Sequence, residues 1–315
     1  MTAPQERILV IRHGALGDVV LSTGAFAAIR QHHPRAEITL LTTKLYAELL
    51  APSPYFDAIV VDEKPRWWQI ARIKKLKKFL SQGRFTRVYD LQTSQRSTWY
   101  FKLLPTPKPE FSGLAKGASH RHHTPERTTL HTIERQKQQL AIAGIADVPP
   151  PDTGWLKGSR HATAEKYALL VPGGSAHRPE KRWPKEYYEE LARWLSGQGI
   201  QPVLIGTEAE AALLAEITRH GVDSASSATI LNLCNRTSFA DIAELARGAV
   251  VAIGNDTGPL HLIAAAGCPC IALFNIKASR PELCAPRGKV TVLSDDSLEN
   301  ISSQKLISVL QKYVN

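Results

Sequence analysis

The sequence predicts an α/β protein made of two tandem units, each a mostly parallel sheet covered by crossover helices. Three observations predict it. Short apolar runs alternate with longer segments whose apolar residues recur at helical spacing. Glycine turns stand where a run hands over to a helix. The pattern then halts at Asp147-Val-Pro-Pro-Pro-Asp152 and restarts. Three consecutive prolines fit neither a helix interior nor a central strand, so this stretch reads as a linker between an N-terminal domain at 1–150 and a C-terminal domain at 151–315. The length of 315 residues is about twice a ~150-residue domain.

The first unit opens with a strand at 8–11, a turn punctuated by Gly14 and Gly17, and a helix over 19–30. Strands follow at 38–42, 58–61 and 87–91, with a helix near 46–50. A basic amphipathic helix spans 64–80: Trp67, Ile70, Ile73, Leu76 and Leu80 recur at helical spacing, and Arg72, Lys74, Lys75, Lys77 and Lys78 crowd the rest. In the second unit strands are expected at 167–171, 201–205, 230–233, 249–253, 270–274 and 290–293. Helices are expected at 184–196, from Thr207, at 239–246, at 260–266 and at 298–313, the last with the option of folding back on the first domain. Thr207 and Glu210 have capping-box spacing.

Composition narrows function. The chain is 43% hydrophobic and 22% charged, which excludes disordered and fibrous classes. No apolar run approaches the ~20 residues of a spanning helix, and the short polar N-terminus reads as having no leader. The four cysteines lack C-x-x-C spacing and read as free thiols in a reducing cytoplasm. The net charge of +10 implies an anionic partner.

Three turns carry chemistry. In Arg12-His-Gly-Ala-Leu-Gly-Asp18, Asp18 falls near a helix N-terminus, where it serves either as a reactive carboxylate or as a simple cap. The glycine spacing is wrong for a dinucleotide fingerprint. In the turn from Pro172 to Pro184, Ser175, Lys181 and Arg182 are placed to meet phosphate oxygens. In Gly254-Asn-Asp-Thr-Gly-Pro-Leu-His261, Thr257 and Gly258 offer amides at a helix start, an anion cradle with His261 in its first turn. Asp256 would repel a phosphate and is better placed to hold sugar hydroxyls or order the loop. The His120-Arg-His-His123 cluster, interrupted by Arg121 and with no nearby carboxylate pair or cysteine, reads as a flexible basic loop facing an acceptor and not as a metal site.

Together the segments 12–18, 172–184, 204–208 and 255–261, with Asp90-Leu-Gln92, resemble glycosyltransferase family 9, the ADP-heptose:lipopolysaccharide heptosyltransferases, over nearly the whole chain. The resemblance implies a GT-B fold, two Rossmann-like domains facing across a cleft, and an inverting transferase needing neither metal nor other cofactor. It implies Asp18 as general base. Lys181 would meet the donor phosphate, Glu210 the ribose, Thr237 the adenine surroundings, and Asp256, Thr257 and Gly258 the sugar and diphosphate. Ser175 and His261 complete the donor candidates. The first domain would hold the acceptor, with Arg12, Lys64, Arg66, Arg96 and Arg121 as candidate contacts. Implied partners are an ADP-sugar, a lipid-linked phosphorylated saccharide and an anionic membrane surface, but no nucleic acid, with the enzyme on the inner face of the cytoplasmic membrane. Two departures stand out: Gly24 where the family often has proline, and Phe274-Asn-Ile-Lys277 for a commoner Gly-Pro-Thr. Competing functions are a nucleotide-sugar 2-epimerase of the same fold and a non-catalytic membrane-binding module.

Overall fold

Arg7–Ile11 (β1) is RILVI, buried at all but its first residue, the near-continuous apolar run of a strand covered on both faces. The computed structural model describes residues 5–174, 177–221 and 229–314. The chain divides into two compact units, Met1–Pro151 and Asp152–Asn315.

In the first unit β1 is followed by α1 (Leu16–Leu21), α2 (Thr23–His32), β2 (Glu37–Thr42), α3 (Lys44–Leu50), β3 (Ala58–Val61), α4 (Ile70–Gln82), β4 (Arg87–Asp90), α5 (Gln95–Leu103), β5 (Glu110–Gly113), β6 (His120–Arg121) and α6 (Thr132–Ile142). All pairings are parallel and the sheet order is β3-β2-β1-β4-β5-β6. That is the doubly wound dinucleotide-fold order, whose direction reverses between β1 and β4. The single helix expected over 19–30 is instead two, broken at Ser22, whose hydroxyl donates to the Asp18 carbonyl at 2.7 Å. Such back-bonding competes with the helix ladder. Gly24 follows at once. A Cβ there would meet the Pro149 carbonyl oxygen at 2.1 Å, so the absent proline makes room for the chain leaving α6.

The second unit repeats the plan with β7 (Tyr167–Val171), α7 (Lys185–Gly197), β8 (Gln201–Leu204), α8 (Ala211–His220), β9 (Leu231–Asn232), α9 (Phe239–Gly248), β10 (Val251–Asn255), α10 (Gly258–Ala265), β11 (Cys270–Asn275), α11 (Pro281–Cys284), β12 (Val290–Asp295) and α12 (Ser303–Val314). Its parallel order, β12-β11-β10-β7-β8-β9, is the same winding, with the reversal between β7 and β10. α12 sinks Leu306 and Leu310 into the second unit's core, beside Leu191 and Leu195 of α7.

The basic helix splits its apolar residues. Leu76 and Leu80 pack into the first unit's core with Val88, Tyr100 and Phe111, whereas Trp67, Trp68 and Ile70 stay in solvent. The basic loop expected at 120–123 is in fact ordered: His120 and Arg121 form β6, and His122 is buried with Nε2 3.3 Å from Gln138 Oε1. Burial holds the His122 imidazole below its ordinary pKa.

Candidate active site

Open parallel sheets bind ligands beyond the carboxyl ends of the strands where winding reverses. In the first unit that point lies between Ile11 and Asp90. The turn after β1 is tight: Gly14 has φ 125°, and a Cβ there would strike the Tyr46 ring at 2.3 Å. Asp18 sits in the first turn of α1, but the N-cap is Ala15 and no side chain caps the helix. Its carboxylate instead lies 3.3 Å from the buried Arg12 guanidinium and remains 43% exposed. Burial pulls Arg12 below its usual basicity, opposed by Asp18 and Asp90, and the guanidinium also donates to the Leu91 carbonyl. Asp90 is fully buried and desolvation pushes its carboxyl up to about 6, against amide bonds from Thr93 at 3.0 Å and Gln92 at 3.1 Å.

A cavity of about 240 Å³ opens here, lined by Arg12, Asp18, Gln92, Arg127, Arg135 and Gln136 among others. Arg127 donates to Thr93 Oγ1 at 2.7 Å and Arg135 to Thr132 Oγ1 at 2.8 Å, and neither has an acidic partner within salt-bridge distance among the described residues. Gln136 ties α6 to the Ser22 hydroxyl at 2.8 Å. Beside the turn, His13 Nε2 lies 2.8 Å from Asp62 Oδ2, which also accepts the Tyr100 hydroxyl at 2.5 Å. Burial alone would raise the Asp62 carboxyl, but these partners bring it below its ordinary value.

In the second unit the reversal lies between Val171 and Gly254. Asn255, fully buried, holds it together. Its amide donates to the Pro172 and Gly173 carbonyls at 2.9 and 3.0 Å, and its oxygen accepts from the Trp183 amide at 3.1 Å and the Tyr188 hydroxyl at 3.3 Å. Asp256, next in the chain, pairs with Lys181 at 2.6 Å and accepts the Ser279 hydroxyl at 2.7 Å. Both ion-pair side chains are nearly buried, at 13% and 10% exposure. The departure at 274–277 contributes here: Asn275 donates to the Glu180 carbonyl at 3.0 Å and so holds the turn bearing Lys181. Thr257 is the N-cap of α10, with Gly258 as its first residue and His261 buried in its first turn.

The donor candidates fall at the carboxyl end of this sheet with two qualifications. Ser175 lies outside the described residues. Glu210 forms the capping box, its Oε2 accepting from the Thr207 amide at 2.9 Å, while Oε1 faces Gly173, 3.2 Å from where a Cβ would be. One oxygen caps, leaving the other turned toward the loop after β7. Thr237 precedes the Ser238 N-cap of α9.

Of the acceptor candidates, only Arg12 lines the Asp18 cavity. Lys64 and Arg66 are exposed on the loop after β3, and Arg96 donates to the Pro65 carbonyl of that loop at 2.8 Å. Arg121 sits on the edge strand β6, near the Leu114 carbonyl. The arginines that line the cavity with Asp18 are instead Arg127, in the turn at 125–128, and Arg135, on α6; no glycine turn or apolar run flags either in the sequence. Among the described residues no group of three or more His, Cys, Asp or Glu is arranged to hold a metal ion.

A family model described as glycosyltransferase family 9 (heptosyltransferase) matches residues 73–313. The chain belongs to glycosyltransferase family 9. Lipopolysaccharide heptosyltransferase 3 of Escherichia coli is 26% identical, the match covering 82% of this chain and 79% of that one. Lipopolysaccharide heptosyltransferase 1 of Pseudomonas aeruginosa is 25% identical over 85% and 78%. The solved structure of E. coli ADP-heptose lps heptosyltransferase II superposes with a TM-score of 0.79 at 23% identity, covering 98% of each chain. Membership of this family makes the chain a glycosyltransferase of the GT-B type and sets aside the binding-module reading. Neighbours that are UDP-N-acetylglucosamine 2-epimerases share only the fold, at a TM-score of 0.59.

Proposed function

We propose that the chain transfers heptose from ADP-heptose to an anionic saccharide of the lipopolysaccharide inner core, inverting the anomeric centre. The observation that carries this is Asp18: a carboxylate at the first unit's reversal point, unused as a helix cap and 43% exposed beside Arg12. A sugar hydroxyl is a poor nucleophile, and Asp18 accepts its proton as attack proceeds. Arg127 and Arg135, without acidic partners in range among the described residues, meet an acceptor's phosphate or carboxylate in the same cavity. The N-terminal domain, 1–150, is the acceptor side, and the C-terminal domain, 151–315, the donor side. In the latter the amides at the start of α10 and Lys181 stabilise the leaving diphosphate, so no divalent metal is required. The enzyme works at the inner face of the cytoplasmic membrane, with the lysines of α4 toward anionic lipid.

Thermal shift with nucleotides and nucleotide sugars tests this reading. ADP and ADP-heptose should stabilise the chain, by about 2.7 kcal/mol at ~100 times the dissociation constant. Turnover of ADP-heptose should require acceptor and should survive EDTA. A response to UDP alone, conversion of a nucleotide sugar without acceptor, or inactivation by EDTA reversed by magnesium would each overturn part of the proposal.

A further inference from the structure

Large apolar side chains left in water are few among the described residues, and three of them are neighbours: Trp67 at 82% exposure, Trp68 at 52% and Ile70 at 63%. They occupy the corner between β3 and α4, and the corner is built, not loose. The Lys64 amide donates to Asp62 Oδ1 at 2.8 Å, Arg96 donates to the Pro65 carbonyl at 2.8 Å, and the Arg66 amide donates to Gln69 Oε1 at 2.9 Å. Asp62 is itself buried and held by Tyr100 and His13. The two indoles stand edge to face, 5.4 Å between centroids, with the Arg66 guanidinium 5.2 Å from the Trp68 ring. The fold thus fixes a backbone whose result is to hold two tryptophans outward.

The surroundings name the partner. Lys64, Arg66, Arg72, Lys74, Lys75, Lys77 and Lys78 are exposed on the same loop and helix, and the acid among them, Glu63, is taken by Arg72 and Lys75. The groove beside the corner, between β3 and α4, has a volume of about 60 Å³, against the ~300 Å³ or more of a small-molecule pocket. The corner therefore offers a rim with no pocket. Exposed indoles ringed by cations match the headgroup layer of an anionic bilayer, where tryptophan's apolar body and polar N–H are both satisfied.

We infer that Trp67, Trp68 and Ile70 form an anchor that enters the headgroup region of an anionic membrane, with the basic residues of α4 as the electrostatic collar around it. This rests on the reading of the chain as an enzyme of a lipid-linked acceptor and assigns membrane attachment to the corner ahead of α4, not to the apolar stripe of the helix, which is spent on the core.

Two components of binding follow. The collar acts within a Debye length of ~8 Å and is screened by salt, whereas the indoles are not. The test is co-sedimentation of the full chain with phosphatidylglycerol-containing and pure phosphatidylcholine vesicles, at low and high salt. The Trp67→Ser/Trp68→Ser variant should bind phosphatidylglycerol vesicles roughly ten- to a hundredfold more weakly and lose nearly all salt-resistant binding. Replacement of Lys74, Lys75, Lys77 and Lys78 by glutamine should instead remove the salt-sensitive part. Spin-labelled lipid should quench wild-type tryptophan fluorescence, and that quenching should vanish in the double variant. Both variants should keep the wild-type thermal shift with ADP. Wild-type binding with an unaffected double variant overturns the anchor while leaving membrane attachment standing. No binding by the wild type overturns both, with the transferase reading judged separately on a detergent-solubilised acceptor. A change in sedimentation coefficient on removing the tryptophans without lipid makes the corner a self-association surface and overturns the proposal.

Discussion

The two units share one winding and hold their charges in opposite ways. At the first unit's reversal point the charges are open: Asp18 is 43% exposed at 3.3 Å from Arg12, and Arg127 and Arg135 face a cavity without acidic partners in range among the described residues. At the second unit's the charges are closed: Lys181 and Asp256 lie 2.6 Å apart, nearly buried, with Ser279 on the same carboxylate. An open carboxylate is ready to receive a proton. On the donor reading, the lysine of a closed ion pair is shared between its carboxylate and an incoming phosphate. Equal topology therefore does not give equal readiness; the side chains at the strand ends decide it.

The largest expected effect comes from blunting the open side. Asp18→Asn should lower turnover by ~10²–10⁴-fold while leaving the ADP-induced thermal shift intact. Turnover close to wild type would remove Asp18 from the chemistry. A smaller effect should come from the closed side, and with opposite signs for its two members. Lys181→Ala should weaken ADP binding by calorimetry by about tenfold or more, the loss of one charged hydrogen bond. Asp256→Asn should tighten it, because Lys181 no longer has an internal competitor. If both variants weaken ADP equally, the pair is a structural unit and not an exchangeable one. The smallest effect concerns the support behind the open side. Asp62→Asn should cost about 1 kcal/mol of stability near neutral pH. The folded Asp62 carboxyl titrates below its ordinary value of about 4, so its contribution is complete above that value and is lost as pH falls through the lower, folded one. The melting-temperature gap between wild type and variant should therefore be flat at neutral pH and close in acid. A gap that persists in acid would show that Asp62 acts through shape alone.

The alternation of apolar runs and glycine turns made both parallel sheets legible, because strands buried on both faces leave no choice but continuous Val, Ile and Leu. The short last two strands of the first sheet were not: EFSG of β5 and HR of the edge strand β6 carry no such run, so β6 looked like a loop. The break at Ser22 was hidden because it depends on a hydroxyl back-bond and not on a breaker residue. In the sites, Asp18, Lys181, Asp256 and Thr257 stood out because each lies where a strand hands over to a helix, Asp18 in the helix's first turn and the others before it. Arg127, Arg135 and Asn255 did not. The first two come from α6 and the turn before it, brought to β1 and β4 by tertiary packing, and Asn255 acts through four hydrogen bonds that no spacing reveals. The helical spacing puts Trp67 in one stripe with Leu76, but α4 begins only at Ile70, so Trp67 precedes the helix and stays in solvent.

The closed pair in the second unit also bears on how a reaction cycle ends. A site whose lysine had no internal alternative would bind a free diphosphate at least as well as the sugar-bearing donor, and would be held by its own product. On the donor reading, Asp256 stands 2.6 Å from Lys181 to reclaim it, with the Ser279 hydroxyl keeping the carboxylate in place. The departing nucleotide then leaves behind a neutralised pair and not a bare buried cation. On that reading the ion pair would weaken capture and shorten product residence together, so that turnover gains at the exit what affinity gives up at the entrance.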